Sequence, residues 1–377
     1  MLLTLNNFNT LLTDLKAWWR KLSTKVMHFA LTCSKRTSKT GLKVAVVGAG
    51  VCGLIAAGYI ACAGHEVDVY DKQPMPGGSL VFAVPPWRIP RESVLEGAKE
   101  LEERLGVKFF LKTKVFSGVN LSEEGDEFVE KVLPLEDLVG SYDAVLIASG
   151  AWRTRRPEIP GLNSVNVYSA LSYLYYRRLQ EMNLINKGVS IGRRVVVYGG
   201  SISALAAAGQ ALSDGAEVYV IYEDSFKRAS IDPVDLKKLE DEGVVAIDLA
   251  RIAEVSVINS VVTEVKFQRL QLSSINEGRV ATPIPNSYFT LSVDSLLLAG
   301  VEEPSPPLSS DVASVMKIAV GPKTILVDEW GRTTNKKVFA AGSVITGLTT
   351  IGDAVRQGVR TAREIDRWLK ALTIKLK

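Results

Sequence analysis

Histidine and cysteine are scarce in this chain of 377 residues: His28 and His65 are the only imidazoles, and Cys33, Cys52 and Cys62 the only thiols. Two imidazoles exclude a histidine-rich metal centre, and no metal ligand is expected. The cysteines form no C-x-x-C pair, which excludes a thioredoxin-type redox pair and a cluster-ligating run within the chain. Cys52 and Cys62 read instead as small core residues of one helix. No uncharged apolar run reaches the roughly 18 residues of a membrane-spanning helix, so no transmembrane segment is expected. The N-terminus lacks the basic start and uncharged apolar stretch of a secretory signal, which makes a cytoplasmic location the default expectation. A basic block interleaved with aromatics is also missing. The net charge of +4 and pI near 8.8 are spread along the chain, and nucleic acid binding is disfavoured.

What is present is an ordinary globular composition, 47% hydrophobic and 23% charged, long enough for roughly two to three domains. The most informative stretch runs from Leu42 to Asp71. Lys43 to Val47 predicts a buried parallel strand, Gly48-Ala49-Gly50-Val51-Cys52-Gly53 is a full G-x-G-x-x-G, Leu54 to Ala63 an apolar helix, and Glu66 to Tyr70 a second strand ending at Asp71. In that pattern Gly48 makes the tight turn, Gly50 admits a diphosphate to the backbone N–H groups, and Gly53 brings helix and strand together. The helix N-terminus favours the anion. Asp71 stands where a carboxylate accepts hydrogen bonds from a ribose. Strand, loop, helix, strand and acid in register predict a nucleotide-binding unit.

Before it, residues 1 to 40 place Leu11, Leu12, Leu15, Trp18, Trp19, Leu22, Val26 and Phe29 at helical spacing, with Lys16, Arg20, Lys21 and Lys25 on the other face. This predicts an amphipathic helix or helix pair that packs on its own domain, docks to a partner subunit or lies on a membrane surface. After Asp71, Gly77-Gly78 predicts a second close backbone approach to a cofactor, and the proline-rich segment Val84 to Pro90 a rigid wall. A helix is expected over 91–106, one strand over Val107 to Phe116, an exposed acidic excursion over 122–137, and a buried strand through Tyr142 to Gly150. Then the pattern repeats. Arg193 to Tyr198 is a strand, Gly199-Gly200-Ser201-Ile202-Ser203 a loop opening a helix, and Gly215 to Glu223 a second strand. Short alternating strands are expected over 244–300, Val293 to Gly300 closing the second unit, followed by Val338 to Ser343 and a helix from Ile351 to Leu369.

This order of pieces resembles the two-dinucleotide-binding-domain flavoproteins, and among them the glutamate synthase small (beta) subunit and its NAD(P)H oxidoreductase relatives. The carriers are the first fingerprint with Asp71, Gly77-Gly78 through Arg88-Ile89-Pro90, Ala148-Ser149-Gly150-Ala151-Trp152 with Ile159-Pro160-Gly161, the second fingerprint, and Val338 to Ser343 with Thr349-Thr350. The resemblance implies an α/β fold of two Rossmann-like domains, the second inserted into the first. The parts would be a helical extension (1–40), FAD-binding parts at 41–154 and 306–377, and an NAD(P)-binding-like domain at 155–305. It implies FAD contacts at Gly48 to Gly53, Asp71, Lys72, Gly77, Gly78, Ser79, Leu80, Arg88, Val115, Ala148, Ser149, Gly150, Gly342, Ser343, Thr349 and Thr350. The nicotinamide nucleotide would meet Gly199 to Ser203, Tyr222 and Glu223.

Hydride transfer between stacked cofactors needs position and electrostatics rather than a protein acid or base, and no catalytic side chain is nominated. Amides near Thr349 and Thr350 are expected to face negative charge on the flavin. Three departures shape the expectation. Residues 1–40 lack the cysteines that bind iron-sulfur clusters in relatives, so electrons leave to a partner subunit or acceptor. Ser343 stands where relatives carry aspartate. In the second unit Ser201 replaces the middle glycine, and Glu223-Asp224 stand where NADP-using relatives carry arginines, which favours NADH or another adenine nucleotide over NADPH. The expected function is an FAD-dependent oxidoreductase passing electrons between NAD(P)H and a partner. Alternatives are an FAD-bearing subunit of a dye-linked amino-acid or amine dehydrogenase with a structural adenine nucleotide, and a non-catalytic nucleotide-binding scaffold.

Overall fold

The computed structural model describes residues 26–30, 33, 37–119, 122–275, 278–347 and 349–375. Of the amphipathic helix or helix pair expected within residues 1–40, positions 1–25 lie outside them. Two parallel five-stranded sheets, alike in four strands and differing in whether the fifth comes last or first in the chain, carry much of the rest. In the first, β1 (Lys43–Val47) enters a tight turn, α1 (Val51–Cys62) packs back on it, and β2 (Glu66–Tyr70) returns beside β1. Four of the five β1 residues are buried, as a strand covered on both faces requires. The helix begins at Val51 rather than Leu54, because Gly50 is its N-cap and the turn is complete in three residues. α2 (Arg91–Leu105) leads to β3 (Lys108–Phe110) outside β2, and β4 (Ala144–Ile147) lies on the other side of β1.

The second sheet starts at its edge with β5 (Val167–Ser169) and α3 (Ala170–Glu181). β6 (Arg194–Tyr198), α4 (Ile202–Ser213), β7 (Glu217–Ile221), α5 (Pro233–Asp241) and β8 (Val245–Ile247) repeat the first unit. An antiparallel excursion follows, β9 (Ala250–Ile258), β10 (Val261–Ile275) and β11 (Gly278–Ser292), before β12 (Ser295–Leu298) pairs with β6 and β5. The chain then returns to the first sheet with β13 (Val338–Ala340) beside β4 and ends in α6 (Ile351–Lys375). The orders are β13-β4-β1-β2-β3 and β8-β7-β6-β12-β5, so the second sheet is inserted between strands of the first.

Five expectations differ from what folds. The strand over Val107 to Phe116 breaks at Lys112, whose φ is +52°. Its second half, Thr113–Val115, pairs with Lys131–Leu133 in a separate ribbon. The acidic excursion is not exposed throughout: the Glu123 side chain is 7% exposed and meets Lys72 at 2.9 Å and Arg153 at 3.2 Å. The strands over 244–300 are not all short, since β10 and β11 each run 15 residues. Residues 26–30 are not helical. They form a strap crossing α1 and α2, where a Cβ on Gly58 would lie 2.6 Å from the Phe29 carbonyl oxygen and one on Gly97 2.0 Å from that of Met27. Phe29 is 1% exposed under it, and truncating a phenyl group so buried costs about 3 kcal/mol. Finally, Cys62 is not a free core thiol: it is disulfide-bonded to Cys33, with 5.7 Å between the Cα atoms, and so ties the strap to the end of α1. Cys52 is free and buried, which pushes its thiol up to about 12.

Candidate functional site

The first glycine loop is shaped by its own backbone at two positions and by something else at a third. Gly48 has φ +108°, and a Cβ there would lie 2.3 Å from the Ala148 carbonyl oxygen at the end of β4. A Cβ at Gly53 would lie 2.0 Å from the Gly48 oxygen. Both are forced by packing. At Gly50, however, a Cβ would meet nothing within 4 Å, so the bare backbone faces open space at the mouth of α1. Gly78, with φ +52°, closes one side, its own Cβ position 2.8 Å from the Gly50 Cα. Gly77 donates its N–H to Ala49 at 2.8 Å, and Leu80 is buried behind it.

Asp71 folds back under this loop. One carboxylate oxygen accepts from Ala49 N at 2.6 Å and the other from Gln73 N at 2.8 Å. Burial pushes its carboxyl up, against those two hydrogen bonds and Lys72. A single crevice is lined by Gly48, Gly50, Val51, Cys52, Asp71, Gly78, Ser79, Arg88, Ala148, Ser149 and Gly150, by Gly342 and Ser343 after β13, and by Thr349 and Thr350 at the start of α6. Thr350 caps α6, its hydroxyl accepting from Asp353 N at 3.1 Å. Gly358 allows α6 to cross α1, its Cβ position 2.7 Å from the Cys52 carbonyl oxygen. Two long helices therefore begin at one crevice, and their free N–H groups and dipoles favour an anion there. An open glycine mouth, a carboxylate at the end of β2 and convergent helix starts fit the diphosphate and ribose of FAD.

Lys72 and Val115 line a smaller adjoining cavity with Asp71, Glu123 and Trp152. Sequence reasoning missed its wall. Lys72, Lys114 and Arg153 surround Glu123 and Asp126 within 4 Å. Burial acts to raise Glu123, but the three cations outweigh it and hold the carboxyl below its usual range. Arg88 lines the main crevice and reaches across to Asp235 on α5 at 3.2 Å. Its neighbour Trp87 packs near Gly209 of α4, with Lys238 over the ring at 5.4 Å. The wall expected from the prolines is thus a bridge between the two sheets.

The crevice continues to Ile202 and Ser203 of the second loop. There Gly199 repeats Gly48, with φ +135° and a Cβ position 2.3 Å from the Ala299 oxygen. The mouth differs. Ser201 and Ser203 bring their hydroxyls within 2.9 Å of each other, and Gly300 N donates to Ser203 at 3.4 Å. Gly200 packs against Tyr222, which is 2% exposed, and Tyr198 donates its hydroxyl to Glu223 at 2.5 Å. Glu302, which no motif marks, lines the same crevice.

The chain matches the family model described as "Pyridine nucleotide-disulphide oxidoreductase" over residues 42–358. It is 30% identical, over 88% of its length, to the NADP(+)-dependent formate dehydrogenase subunit beta of Moorella thermoacetica, covering 44% of that protein. It is likewise 30% identical, over 88% of its length, to the glutamate synthase [NADPH] small chain of Azospirillum brasilense, covering 67% of it. The chain thus spans about half to two thirds of these relatives' length. Among solved structures, FprA of Mycobacterium tuberculosis in complex with NADPH superposes with a TM-score of 0.72 at 17% identity, over 89% of this chain and 86% of that one. With a family match over most of its length and two parallel sheets that share a four-strand order to carry it, the chain belongs to the pyridine nucleotide-disulphide oxidoreductase family.

Proposed function

We propose that this chain is an FAD-dependent oxidoreductase that moves electrons between a nicotinamide nucleotide and a partner subunit or acceptor, in the manner of a glutamate synthase small subunit. One observation carries the reading: the crevice over the open Gly50 mouth runs without interruption to the start of α4 in the second unit. In the proposed division, residues 41–154 and 306–377 hold FAD, and 155–305 take the nicotinamide nucleotide. Bound FAD supplies the hydride and one-electron chemistry. The protein's part is to seat it: backbone N–H groups of the first loop on the diphosphate, Asp71 on the ribose, and the start of α6, with Ser343 and Thr349, along the rest. Arg88, held by Asp235, spans the place where the two nucleotides meet.

NADH is favoured over NADPH. Glu223 is tethered by Tyr198, and Asp224, 3.8 Å from Arg228, adds a second carboxylate at the end of β7, where a 2′-phosphate would face both. Anaerobic mixing of the FAD-loaded protein with each nucleotide tests both statements. Rapid bleaching of the flavin by NADH, with weaker binding of NADPH, is expected; no bleaching by either nucleotide refutes the electron-transfer reading, and tighter NADPH refutes the preference. The side chains crowding the second mouth favour one further reading, a structural adenine nucleotide in a subunit whose partner oxidises the substrate. That reading predicts a nucleotide retained through purification and a flavin that NADH leaves oxidised. The names of the relatives quoted above include subunits of larger assemblies, which supports a partner in either case.

A further inference from the structure

Glu302 is the buried acid that the flavin site does not use. The pairs Val47–Ile147 in the first sheet and Tyr198–Leu298 in the second occupy equivalent positions, as do Gly48–Ala148 and Gly199–Ala299. Counting on from these pairs sets Ser201 against Gly50, Ser203 against Cys52 and Glu302 against Ala151. The second unit therefore puts a carboxyl group where the first has a methyl group. Both carboxyl oxygens of Glu302 are shut off from solvent and make no hydrogen bond of good geometry, although the Ser203 hydroxyl and the amides of Gly300, Val301 and Glu302 lie near enough to pull on the carboxyl. The residue lines the crevice together with Ile202 and Ser203, at the start of the twelve-residue α4.

We propose that Glu302 is a gate on the second unit: its carboxyl holds the diphosphate end of that unit, and a nucleoside diphosphate is admitted only when the carboxyl carries a proton. The proposal rests on the reading that residues 155–305 take a nicotinamide nucleotide. A carboxylate beside an entering diphosphate repels it in a site that water does not screen, whereas a carboxyl group donates a hydrogen bond to it. Burial pushes the Glu302 carboxyl up, against the pull of the Ser203 hydroxyl and the amides of Gly300, Val301 and Glu302 itself. The cations of the surrounding elements are matched to other acids. Arg153, on the strand opposite, meets Glu123; Arg155 meets Glu158; Lys323 meets Glu303; Arg88 meets Asp235. Glu302 thus has no counter-ion among them to hold its charge.

The sign follows from linkage. Binding that requires the protonated form takes up a proton, so affinity falls as pH rises through the raised value, by at most about tenfold per unit. The experiment is calorimetric titration of the FAD-loaded protein and its Glu302→Gln variant with NAD+, whose diphosphate keeps a constant charge, between about pH 5.5 and 8.5, with adenosine as a ligand lacking the diphosphate. Glu302→Ala and the visible spectrum of bound FAD control for folding. The expected result is wild-type binding that weakens as pH rises, Glu302→Gln binding that does not, an advantage for the variant that widens with pH by up to about tenfold per unit, and no change for adenosine. A weaker Glu302→Gln complex, or the same pH slope in both proteins, overturns the gate and leaves the nicotinamide site standing. No NAD+ binding by either protein at any pH overturns that site and the gate with it.

Discussion

The two glycine loops sit on sheets that share a four-strand order and differ chiefly at the helix mouth. Gly48 and Gly199 meet the same obstacle at the same 2.3 Å, a carbonyl oxygen on the neighbouring strand. Either glycine is demanded by the fold whether or not a nucleotide binds. The middle position is different: a Cβ at Gly50 would touch nothing, and Ser201 already occupies its counterpart. Only the middle glycine therefore reports on a ligand. A fingerprint read as one motif mixes two constraints, and this chain separates them.

The largest effect should come from Gly48→Ala set against Gly199→Ala. Each puts a methyl group into a backbone oxygen at a positive φ, and each should cost about 4 kcal/mol, a large share of a typical domain's stability. Thermal unfolding should fall by a similar amount in both, while flavin is lost only from Gly48→Ala. Equal flavin loss from both variants would break the division of labour between the loops.

The first unit also carries a disulfide and a buried ion cluster. Cys33 and Cys62 close a loop of 29 residues in sequence, which in the chain-entropy picture is worth roughly 3 to 4 kcal/mol. Cys33→Ser, or a reductant, should lower the melting temperature of the first unit and leave nucleotide binding by the second unchanged. An unaltered melt would show the strap to be held by Phe29 alone. Glu123→Gln should cost about 3 kcal/mol at neutral pH by taking from the buried Lys72 and from Arg153 the carboxylate they share, which leaves Lys72 only Asp126. Because Glu123 is held below its usual range, its contribution is present in full above the ordinary glutamate value and lost as pH falls through the depressed one. Denaturant melts of wild type and variant should then converge in acid, and a constant gap would assign the loss to packing.

Both loops and the strands of both parallel units were legible, because buried strands and glycine turns leave their pattern in adjacent residues; the insertion of one unit in the other was implied by the family resemblance alone. The Glu123 cluster was not. Its acids read as a wet segment, and two of the cations around it, Lys72 and Arg153, come from distant parts of the chain, with Lys114 on a neighbouring strand. Val26 and Phe29 continued a helical spacing, although the chain there is a strap. Gly58 and Gly97, small residues inside otherwise regular helices, were the available sign that a backbone passes over them. The Cys33–Cys62 bond follows no spacing rule, and Glu302 gains its meaning only once β12 is seen to repeat β4.

The smallest and sharpest prediction exchanges the two mouths. Gly50→Ser gives the first loop the second loop's residue at a place with room for it, so stability should change by no more than about 0.5 kcal/mol. FAD should nevertheless bind about ten- to a hundredfold more weakly, because the hydroxymethyl group stands where the diphosphate must approach the amides, costing roughly 1.4 to 2.7 kcal/mol. Ser201→Gly should do the reverse in the second unit, tightening NAD+ severalfold, a smaller gain because Ser203 and Glu302 still crowd the same helix start. Flavin release by dilution and NAD+ titration measure the two changes in proteins of matched melting temperature. Should Gly50→Ser hold FAD as tightly as the wild type, the middle position is not where the loops differ, and the burden shifts to Asp71 and to the carboxyl at Glu302.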